Sequence, residues 1–574
     1  MGHHSGGGQN YTASDALNDA LVRAGVSHVF LNSGTDYPPV VESWAKFESL
    51  GLKKPEVIIS PHESVALSAA QGFAQVTGRA QAVFVHVDVG TQNLGGALHN
   101  AYRCRIPVFI MAGLSPFTME GELKGGRDSG IQFMQNVADQ AGIVRGYTKL
   151  NCELKSGKNT QQMVYRALQI AKSDPQGPVY MMAPREVLEE EGWDVNADLN
   201  TWSPVSPAGL DNDSVEALIG ALVRAANPLI ITSYLGRNTD AVAELVKFCE
   251  KLAIPVLENS RRYMNFPSNH PMHMGSSAQE LIKKADIILV IDCDVPWIPV
   301  DTKLREGCRI FYLDVDPIKE AIPLWHIPAE RFIKADSFSS LKQLNEKLNQ
   351  EPGLLNQALI SERYEKINLQ HIQMHEQWRN EEKMSSLMTS TYIMMCVRDI
   401  IDEDTIIMNE SLSSGMAAER YLQRTKPGTY FGCGGSSLGW VGGASIGAKL
   451  ACPDKDVVAL ASDGVYIFSC PTAVYWMARR YNAPFLTVIS NNSGWNAVKS
   501  STARQHPDGH AVKDNKYWAS FEPSARLDLV AEAAGGAFAR TVSEPEDLKA
   551  VLREAKDAVK SGIPAVVNVL LPPI

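Results

Sequence analysis

Three stretches of this chain alternate short apolar runs with helical patterns, and two polar stretches separate them. Apolar runs that alternate with helices are typical of βαβ units, in which a helix connects two parallel strands. The length of 574 residues is also too great for a single core and predicts about three or four domains. We therefore predict an α/β fold of three doubly wound domains, each built on a parallel sheet.

Apolar runs and helical periodicity place the elements of each stretch. The first stretch predicts strands at 26–32, 56–60, 81–87 and 106–113, with helices at 63–78 and 93–103. The second predicts strands at 228–232, 254–257, 287–291 and 309–313, and a helix at 340–349. The third predicts strands at 405–409, 428–433, 456–461, 484–490 and 565–571, with a helix at 472–480.

Two polar stretches, 184–209 and 351–382, mark the predicted domain boundaries. The first carries three consecutive glutamates and several prolines, so it does not suit a buried element. The second is rich in Gln, Asn and Glu, and we predict it to be a partly helical linker. The predicted domains are therefore 11–190, 208–350 and 385–574.

Composition and charge exclude several classes of partner. With 45% hydrophobic and 21% charged residues the chain is typical of globular proteins, and its net charge of -10 gives no basic surface for nucleic acid. No apolar run approaches the roughly 18 residues needed to cross a bilayer, and residues 1–10 lack the apolar stretch of a signal peptide. Nine cysteines without a C-x-x-C pair predict reduced thiols. We expect a cytoplasmic protein without a nucleic-acid or membrane partner.

Polar residues follow two neighbouring predicted strands of the third stretch. Asp463 lies in Ser-Asp-Gly after one strand, and Asn492 lies in Asn-Asn-Ser-Gly after the next. The carboxyl ends of parallel strands meet at one edge of a sheet, where ligands of α/β folds bind. Asp463, Asn492 and a backbone carbonyl, assigned to Gly494, are oxygen ligands suited to Mg²⁺, with phosphate oxygens completing the shell. Each motif alone is equally consistent with a simple turn.

This pair of motifs resembles the thiamine-diphosphate signature G-D-G…N-N. The chain is similar over essentially its whole length to the acetolactate synthase and benzoylformate decarboxylase family. The resemblance implies pyrimidine-binding, central and diphosphate-binding domains, and the cofactors thiamine diphosphate and Mg²⁺, with Gly464 and Val465 at the cofactor. One departure is Ser462, where the family usually has Gly. It matters only if the position needs a positive φ.

The resemblance also implies a carboxylic acid against the aminopyrimidine ring of the cofactor. In the family this acid lies in a His-Glu context, and here Glu63 follows His62 at the start of an apolar helical pattern. A Glu in the first turn of a helix is ordinarily only a partner of the helix dipole. Its occurrence together with the metal motif favours the catalytic role.

Two further segments resemble cofactor-binding loops of the family. In the glycine-rich segment 434–440, Leu438 takes the place of the apolar residue that wedges between the two cofactor rings, and the Ser436 carbonyl that of a pyrimidine partner. The segment with Ser411, Leu412 and Ser413 resembles the turn that contacts the diphosphate, since free N–H groups at a helix start suit phosphate. Ser411 is equally suited to be a simple N-cap.

At the substrate end the residues resemble benzoylformate decarboxylase more than acetolactate synthase. His86 falls on that enzyme's active-site His, and Thr35 on its substrate-binding Ser; a structural His is the alternative. The second active-site His of that enzyme has no counterpart in 292–297. We expect Trp297 to be a core residue; the alternative is an apolar or stacking wall of the site.

We therefore expect a lyase that decarboxylates a 2-oxo acid and re-forms C–C bonds by acyloin-type carboligation, working as a homodimer or homotetramer. A 2-hydroxyacyl-CoA lyase or oxalyl-CoA decarboxylase-like enzyme is the first alternative. The second is an FAD-bearing oxidoreductase of the pyruvate oxidase type, although no G-x-G-x-x-G follows a strand in 210–340. A relative that only binds a partner is the third.

Overall fold

The computed structural model describes residues 11–195, 197–384 and 387–574, and these form three parallel sheets covered by helices. The strands of the first sheet are β1 (His28–Asn32), β2 (Glu56–Ile59), β3 (Gln81–Val85), β4 (Val108–Leu114), β5 (Asn151–Glu153) and β6 (Val179–Pro184). Its helices are α1 (Ala13–Arg23), α2 (Pro38–Ser49), α3 (Glu63–Thr77), α4 (Val87–Arg103), α5 (Ile131–Met134), α6 (Thr160–Lys172) and α7 (Arg185–Glu189).

The second sheet has five strands. They are β7 (Pro228–Thr232), β8 (Val256–Glu258), β9 (Ile287–Ile291), β10 (Arg309–Asp314) and β11 (Arg331–Lys334). Its helices are α8 (Asn212–Leu222), α9 (Thr239–Leu252), α10 (Gln279–Lys284) and α11 (Ser337–Gln350), and a longer helix, α12 (Gln357–Met384), follows them.

The third sheet has six strands. They are β12 (Ile406–Glu410), β13 (Tyr430–Gly432), β14 (Val457–Ser462), β15 (Leu486–Asn491), β16 (Phe538–Val542) and β17 (Ala565–Leu570). Its helices are α13 (Ser390–Arg398), α14 (Gly415–Tyr421), α15 (Trp440–Ala451), α16 (Asp463–Phe468), α17 (Pro471–Arg480), α18 (Asn496–Gln505), α19 (His510–Lys513), α20 (Leu527–Gly535) and α21 (Pro545–Lys560).

All three sheets are doubly wound, as the sequence predicts. The strand orders are β2-β1-β3-β4-β6-β5, β11-β10-β9-β7-β8 and β13-β12-β14-β15-β17-β16. In each sheet the chain leaves its first strand to one side and returns to the other, so a crevice opens between β1 and β3, between β7 and β9, and between β12 and β14. Ligands of open α/β sheets bind at such switch points.

The structure differs from the predicted elements mainly at edges and ends. Strands β5 and β11 were not predicted because they are short and only partly buried, and β16 was missed because its buried positions are interrupted by exposed ones. Strand β6 was also missed. Strand β3 ends at Val85 and α4 begins at Val87, six residues before the predicted helix.

The second polar stretch is more regular than predicted. Most of it forms α12, a helix of 28 residues. Its Arg363 is buried and donates hydrogen bonds to the carbonyls of Leu222 and Leu252, at the C-terminal ends of α8 and α9. This contact ties α12 to the central domain because helix ends leave carbonyls without partners in the helix. In the ranges that the structure describes, no helix combines the length and apolar character needed to span a bilayer.

Helices α3 and α15 bring the first and third domains into direct contact. A Cβ added at Gly447 of α15 would lie 1.9 Å from the carbonyl oxygen of Ala69, and one at Gly72 of α3 would lie 2.2 Å from the carbonyl oxygen of Ala444. Only glycine permits such an approach of two backbones. The pair matters for the site because Glu63 begins α3, and the glycine-rich segment 434–440 leads into α15.

Candidate active site

Asp463 and Asn492 follow adjacent strands at the carboxyl edge of the third sheet. Asp463 begins α16 directly after β14, and Asn492 comes directly after β15. The two strands are parallel, with Ser462 opposite Ser490. The buried, β-branched-rich sequence of both strands explains why the polar residues begin at the same level: the apolar runs end together.

Asp463 links the two turns. Its side chain is 2% exposed. Its Oδ1 accepts a hydrogen bond from the Gly464 N–H at 2.9 Å, and its Oδ2 accepts one from the Gly494 N–H at 2.8 Å. Burial raises the pKa of Asp463, and these N–H groups lower it in part. A cation beside this carboxylate would stabilise its charged form.

Asn492 supplies the observation that fits a metal ion. Its Oδ1 is buried, and in the part of the chain that the structure describes this oxygen has no hydrogen-bond partner. A buried acceptor without a partner costs free energy, roughly 1–3 kcal/mol, and a cation would remove that cost. Gly494 differs from the prediction in one respect, because its carbonyl already accepts a hydrogen bond from Asn496 N–H at 3.1 Å. A carbonyl oxygen has a second lone pair to offer.

The serine at position 462 fits its place without strain. Ser462 is extended, with φ -90° and ψ 168°, so the family's glycine is not needed there for a positive φ. Gly464 lies against the ring of Trp495, where an added Cβ would come within 2.2 Å of a ring carbon. Val465 is fully buried. The first turn of α16 is therefore packed against the protein interior on the side of Gly464 and Val465.

The predicted diphosphate turn directly follows β12, on the other side of the switch point. Ser411 is buried, and its Oγ donates to Asn409 Oδ1 at 2.7 Å instead of capping a helix. Leu412 and Ser413 are exposed, and Leu412 has a φ of 43°. The segment forms a 3-10 turn, Leu412–Ser414, before α14 begins.

The glycine-rich segment 434–440, called the wedge segment from here on, is held by hydrogen bonds on two sides. Ser436 is exposed and has a φ of 61°, and Leu438 is partly buried. On one side Asn100 of α4 bonds both the N–H and the carbonyl of Ser437, at 3.0 and 2.7 Å. On the other side Glu410, the last residue of β12, accepts from the N–H groups of Gly439 and Val441, at 3.1 and 2.8 Å.

Glu410 is a residue that the sequence did not single out. Its carboxyl caps the start of α15 and is 4% exposed. Burial raises its pKa to about 8, although the N–H groups of α15 oppose the shift. The only signal in the sequence was its place beside Ser411, since nothing showed that its partners lie about thirty residues along the chain.

Glu63 is placed by α3 and α4. It is the first residue of α3 and 7% exposed, and its Oε2 accepts a hydrogen bond from Asn93 Nδ2 of α4 at 3.1 Å. Asn100, which holds the wedge segment, lies two turns further along the same helix, about 10 Å away along the axis. Helix α4 thus contacts both predicted cofactor-binding groups, and Asn93 was not foreseen from the sequence.

His86 and the loop of Thr35 meet at the switch point of the first sheet. His86 follows β3, and its Nδ1 lies 2.6 Å from Asp36 Oδ1. Its Nε2 lies 2.9 Å from Gln135 Oε1. Thr35 is exposed next to Asp36, and its carbonyl accepts from Arg185 at 3.3 Å. Asp36 and Gln135 were missed: the first stood unnoticed beside Thr35, and the second lies in an irregular segment without periodicity.

The switch point of the central sheet contains a buried ionic cluster. Arg105, from the first domain, bonds Asp314 at 2.7 Å and Asp294 at 3.1 Å. Lys319 lies 2.6 Å from Asp314 and 3.1 Å from Asp294, and Tyr234 donates to Asp294 at 2.6 Å. Burial raises the pKa of Asp294, but the two cations overcome it and hold that pKa at about 2. Trp297, 6% exposed, packs in the core of this domain as predicted.

Three parallel α/β domains, with a buried carboxylate and, among the described residues, an unpartnered amide oxygen at the edge of the third and a histidine–carboxylate pair at the switch point of the first, fit a cofactor-dependent enzyme. Models of known families resolve its class. The thiamine pyrophosphate enzyme models match residues 11–143 for the N-terminal TPP binding domain, 215–329 for the central domain and 413–569 for the C-terminal TPP binding domain. The chain belongs to the thiamine pyrophosphate enzyme family.

Relatives of similar length carry several activities. A probable acetolactate synthase of Mycobacterium bovis is 26% identical over 542 residues, covering 90% of this chain and 89% of that protein. A benzoylformate decarboxylase of Pseudomonas aeruginosa is 25% identical over 522 residues, covering 85% and 87%. A 2-hydroxyacyl-CoA lyase of Arabidopsis thaliana is 24% identical over 577 residues, covering 96% and 94%. The chain is thus an enzyme of this family.

Solved structures share the fold. The 4-hydroxybenzoylformate decarboxylase of Rhodococcus jostii RHA1 superimposes with a TM-score of 0.77 at 22% identity, covering 98% of this chain and 99% of that one. The benzoylformate decarboxylase of Polynucleobacter necessarius gives 0.78 at 19% identity, covering 98% and 100%.

Proposed function

We propose that the protein is a Mg²⁺-dependent lyase and carboligase acting on a 2-oxo acid. The observation that carries this proposal is His86, which faces carboxylate Asp36 through one ring nitrogen and presents the other at the switch point. The hydrogen bond and charge of Asp36 raise the pKa of His86 against the effect of burial, so the ring suits an anionic substrate and can donate a proton to an oxygen that gains charge. Benzoylformate decarboxylases among the relatives act on such a substrate.

The third-domain edge would hold the metal ion. Asp463 would supply its one charge, the orphaned Asn492 oxygen a neutral ligand, and the Gly494 carbonyl a third. Mg²⁺ with few protein ligands usually binds through substrate or cofactor phosphates. The residues that would contact a diphosphate are Ser411, Leu412, Ser413, Gly464 and Val465.

Bound thiamine diphosphate supplies an electron sink for the carbanion left when a carboxyl group departs. Ser436 and Leu438 would hold its ring system, because Glu410 and Asn100 fix their segment from both sides. Glu63 would hold a proton against the aminopyrimidine, and Asn93 keeps that carboxyl in place. Thr35 would bind the substrate carboxylate, and His86 would donate from Nε2.

We also propose a homodimer or homotetramer in which two chains share each site. Within one chain, α4 lies between Glu63 and the wedge segment. Large apolar side chains near the site are exposed, among them Phe133, Met134 and Phe468, at 53%, 86% and 55%. A contiguous patch of exposed apolar side chains marks an interaction surface, and we propose that these side chains contribute to one. Light scattering tests the proposal, and a fully active monomer would contradict it.

A substrate panel tests the reaction. Protein loaded with thiamine diphosphate and Mg²⁺ is offered 2-oxo acids and 2-hydroxyacyl-CoA thioesters, while CO₂ and aldehyde release are measured. Release of CO₂ from a 2-oxo acid, and none from protein without cofactor, is the expected result. Cleavage of the thioesters alone would favour the 2-hydroxyacyl-CoA lyase, and a yellow preparation that reduces an electron acceptor would favour the FAD-bearing oxidoreductase.

A further inference from the structure

Asp36 is a buried carboxylate that no step above uses. It is 3% exposed, and its side chain lies between β1 and β3, at the switch point of the first sheet. Its Oδ1 lies 2.6 Å from His86 Nδ1, and its Oδ2 accepts a hydrogen bond from Val87 N–H at 3.2 Å. The carboxylate thus holds both the ring of His86 and the backbone just after it.

Two glycines leave room for this pair. A Cβ added at Gly113 of β4 would lie 1.8 Å from Asp36 Oδ2, and one at Gly34 would lie 2.0 Å from His86 Nδ1. Any other residue at either position would push the carboxylate or the ring away. The backbone at Val87 is also unusual, with a φ of 22°, which is rare for a β-branched residue and is retained mostly at functional sites. The close contact between Asp36 and His86 is therefore imposed by the surrounding fold.

The groups around the ring determine its protonation. Asp36 comes from the β1–α2 loop, Asp88 from α4, and Gln135 from the segment after α5. Burial lowers the pKa of His86, but the hydrogen bond and charge of Asp36, with smaller contributions from Gln135 and Asp88, raise it above its ordinary value. Nδ1 faces a carboxylate oxygen, which only accepts, and Nε2 faces the side-chain oxygen of Gln135. Two N–H groups on the ring, as in the imidazolium, satisfy both contacts.

We infer that Asp36 is a positioning residue that keeps His86 as an imidazolium, with its Nε2–H directed at Gln135 Oε1, whose place a substrate oxygen would take. The inference rests on the proposed function for the role of His86 but makes a statement about the ring that holds without any substrate. A proton given up from Nε2 leaves a neutral ring whose Nδ1–H still binds Asp36, so the ring keeps its orientation through the transfer. Solvent then returns the proton to Nε2.

The first experiment measures the ring itself. Protein carrying ¹³C at Cε1 of its 13 histidines is titrated by NMR, and the missing signal in His86→Gln assigns His86. Asp36→Asn keeps the shape and an acceptor for Nδ1–H but removes the charge, so the pKa of His86 should fall by about one unit or more. Asp88→Asn is the control: its carboxylate acts only through space, and the shift should be smaller.

The second experiment measures the pH profile. In Asp36→Asn the loss of kcat/KM with rising pH should begin at lower pH, by the same shift that NMR reports, and the activity should recover in acid. A merely structural defect would not recover in acid. Asp36→Ser, which is smaller, serves if the asparagine variant does not fold.

The outcomes separate the two claims. An unchanged His86 pKa in a folded Asp36 variant overturns the inference, whatever the enzyme does. If the pKa of His86 falls in the Asp36 variant but the protein acts on no 2-oxo acid, the inference is supported and the proposed function is contradicted.

Discussion

The switch points of the third and central sheets have the same topology and opposite chemistry. In the third, Asp463 accepts only backbone N–H groups, and the neighbouring Asn492 oxygen has no partner in the described residues. In the central domain, Asp294 is bonded by Arg105, Lys319 and a tyrosine hydroxyl. In the described residues, the carboxylate at the edge of the third sheet has no cation beside it, whereas the edge of the central sheet includes Arg105 and Lys319.

The difference shows that polar satisfaction, more than topology, distinguishes a ligand site from a structural junction. A carboxylate whose cations are built into the chain gains nothing from an added one. The central crevice is also crossed by Arg105 from another domain, so its charges fasten two domains together. Among the described residues, the neighbouring Asp292 has no cation at bonding distance, and burial raises the pKa of that carboxyl to about 6.

The strongest test of this comparison removes the carboxylate at the edge of the third sheet, which we call the open edge. Asp463→Ala should abolish Mg²⁺-dependent binding of thiamine diphosphate and leave the chain folded, because this residue is the one charged group proposed for the metal. Titration calorimetry measures the binding, and circular dichroism checks the fold. Unchanged affinity in the variant would rule out the assignment.

The matching change at the edge of the central sheet should lower the stability and leave cofactor binding unchanged. Asp314→Asn leaves Arg105 and Lys319 buried with less negative charge, and breaking a buried ion pair in this way costs about 3–5 kcal/mol. Denaturant unfolding measures the loss, and Asp316→Asn on the partly exposed turn nearby is the control. Cofactor affinity at low temperature should be unchanged; weaker binding in the folded variant would mean that the central crevice takes part in the cofactor site.

Glu410 allows a subtler test, since it avoids the cost of burial by holding a proton. Its folded pKa of about 8 is above that of an unfolded Glu, so its contribution to stability is full at low pH and is lost as pH rises through about 8. The difference in unfolding free energy between wild type and Glu410→Gln should therefore fall from about pH 5 to about pH 8. The exposed Glu403→Gln should show no such trend, and a flat difference for Glu410 would disprove its raised pKa.

The smallest expected effect concerns the departure from the family at position 462. Ser462 is extended, so Ser462→Gly gains no conformational relief and should destabilise the protein by about 0.5–1 kcal/mol. The affinity for thiamine diphosphate and Mg²⁺ should stay the same. A marked gain in affinity would show that the serine side chain obstructs the open edge.

The sequence predicted the three α/β domains and the position of Asp463 and Asn492 after adjacent strands, because both follow from where apolar runs end. The sequence could not predict groups that are joined by contacts between residues far apart in the chain. Glu410 meets the start of α15, Gln135 meets His86, and Arg105 reaches Asp314 across a domain boundary. None of these contacts leaves a period or spacing in the chain. The sequence also predicted only a partly helical linker where α12 forms, since the buried partners of Arg363 lie more than one hundred residues away.

The glycine contact between α3 and α15 acts as a fixed spacer. Side chains between helices can change rotamer and let the helices slide, but two backbones in contact have nothing between them that can rearrange. Within one chain, the start of α3, with Glu63, and the start of α15, with the wedge segment, therefore keep a fixed separation. The two helix starts therefore cannot move apart to admit a substrate.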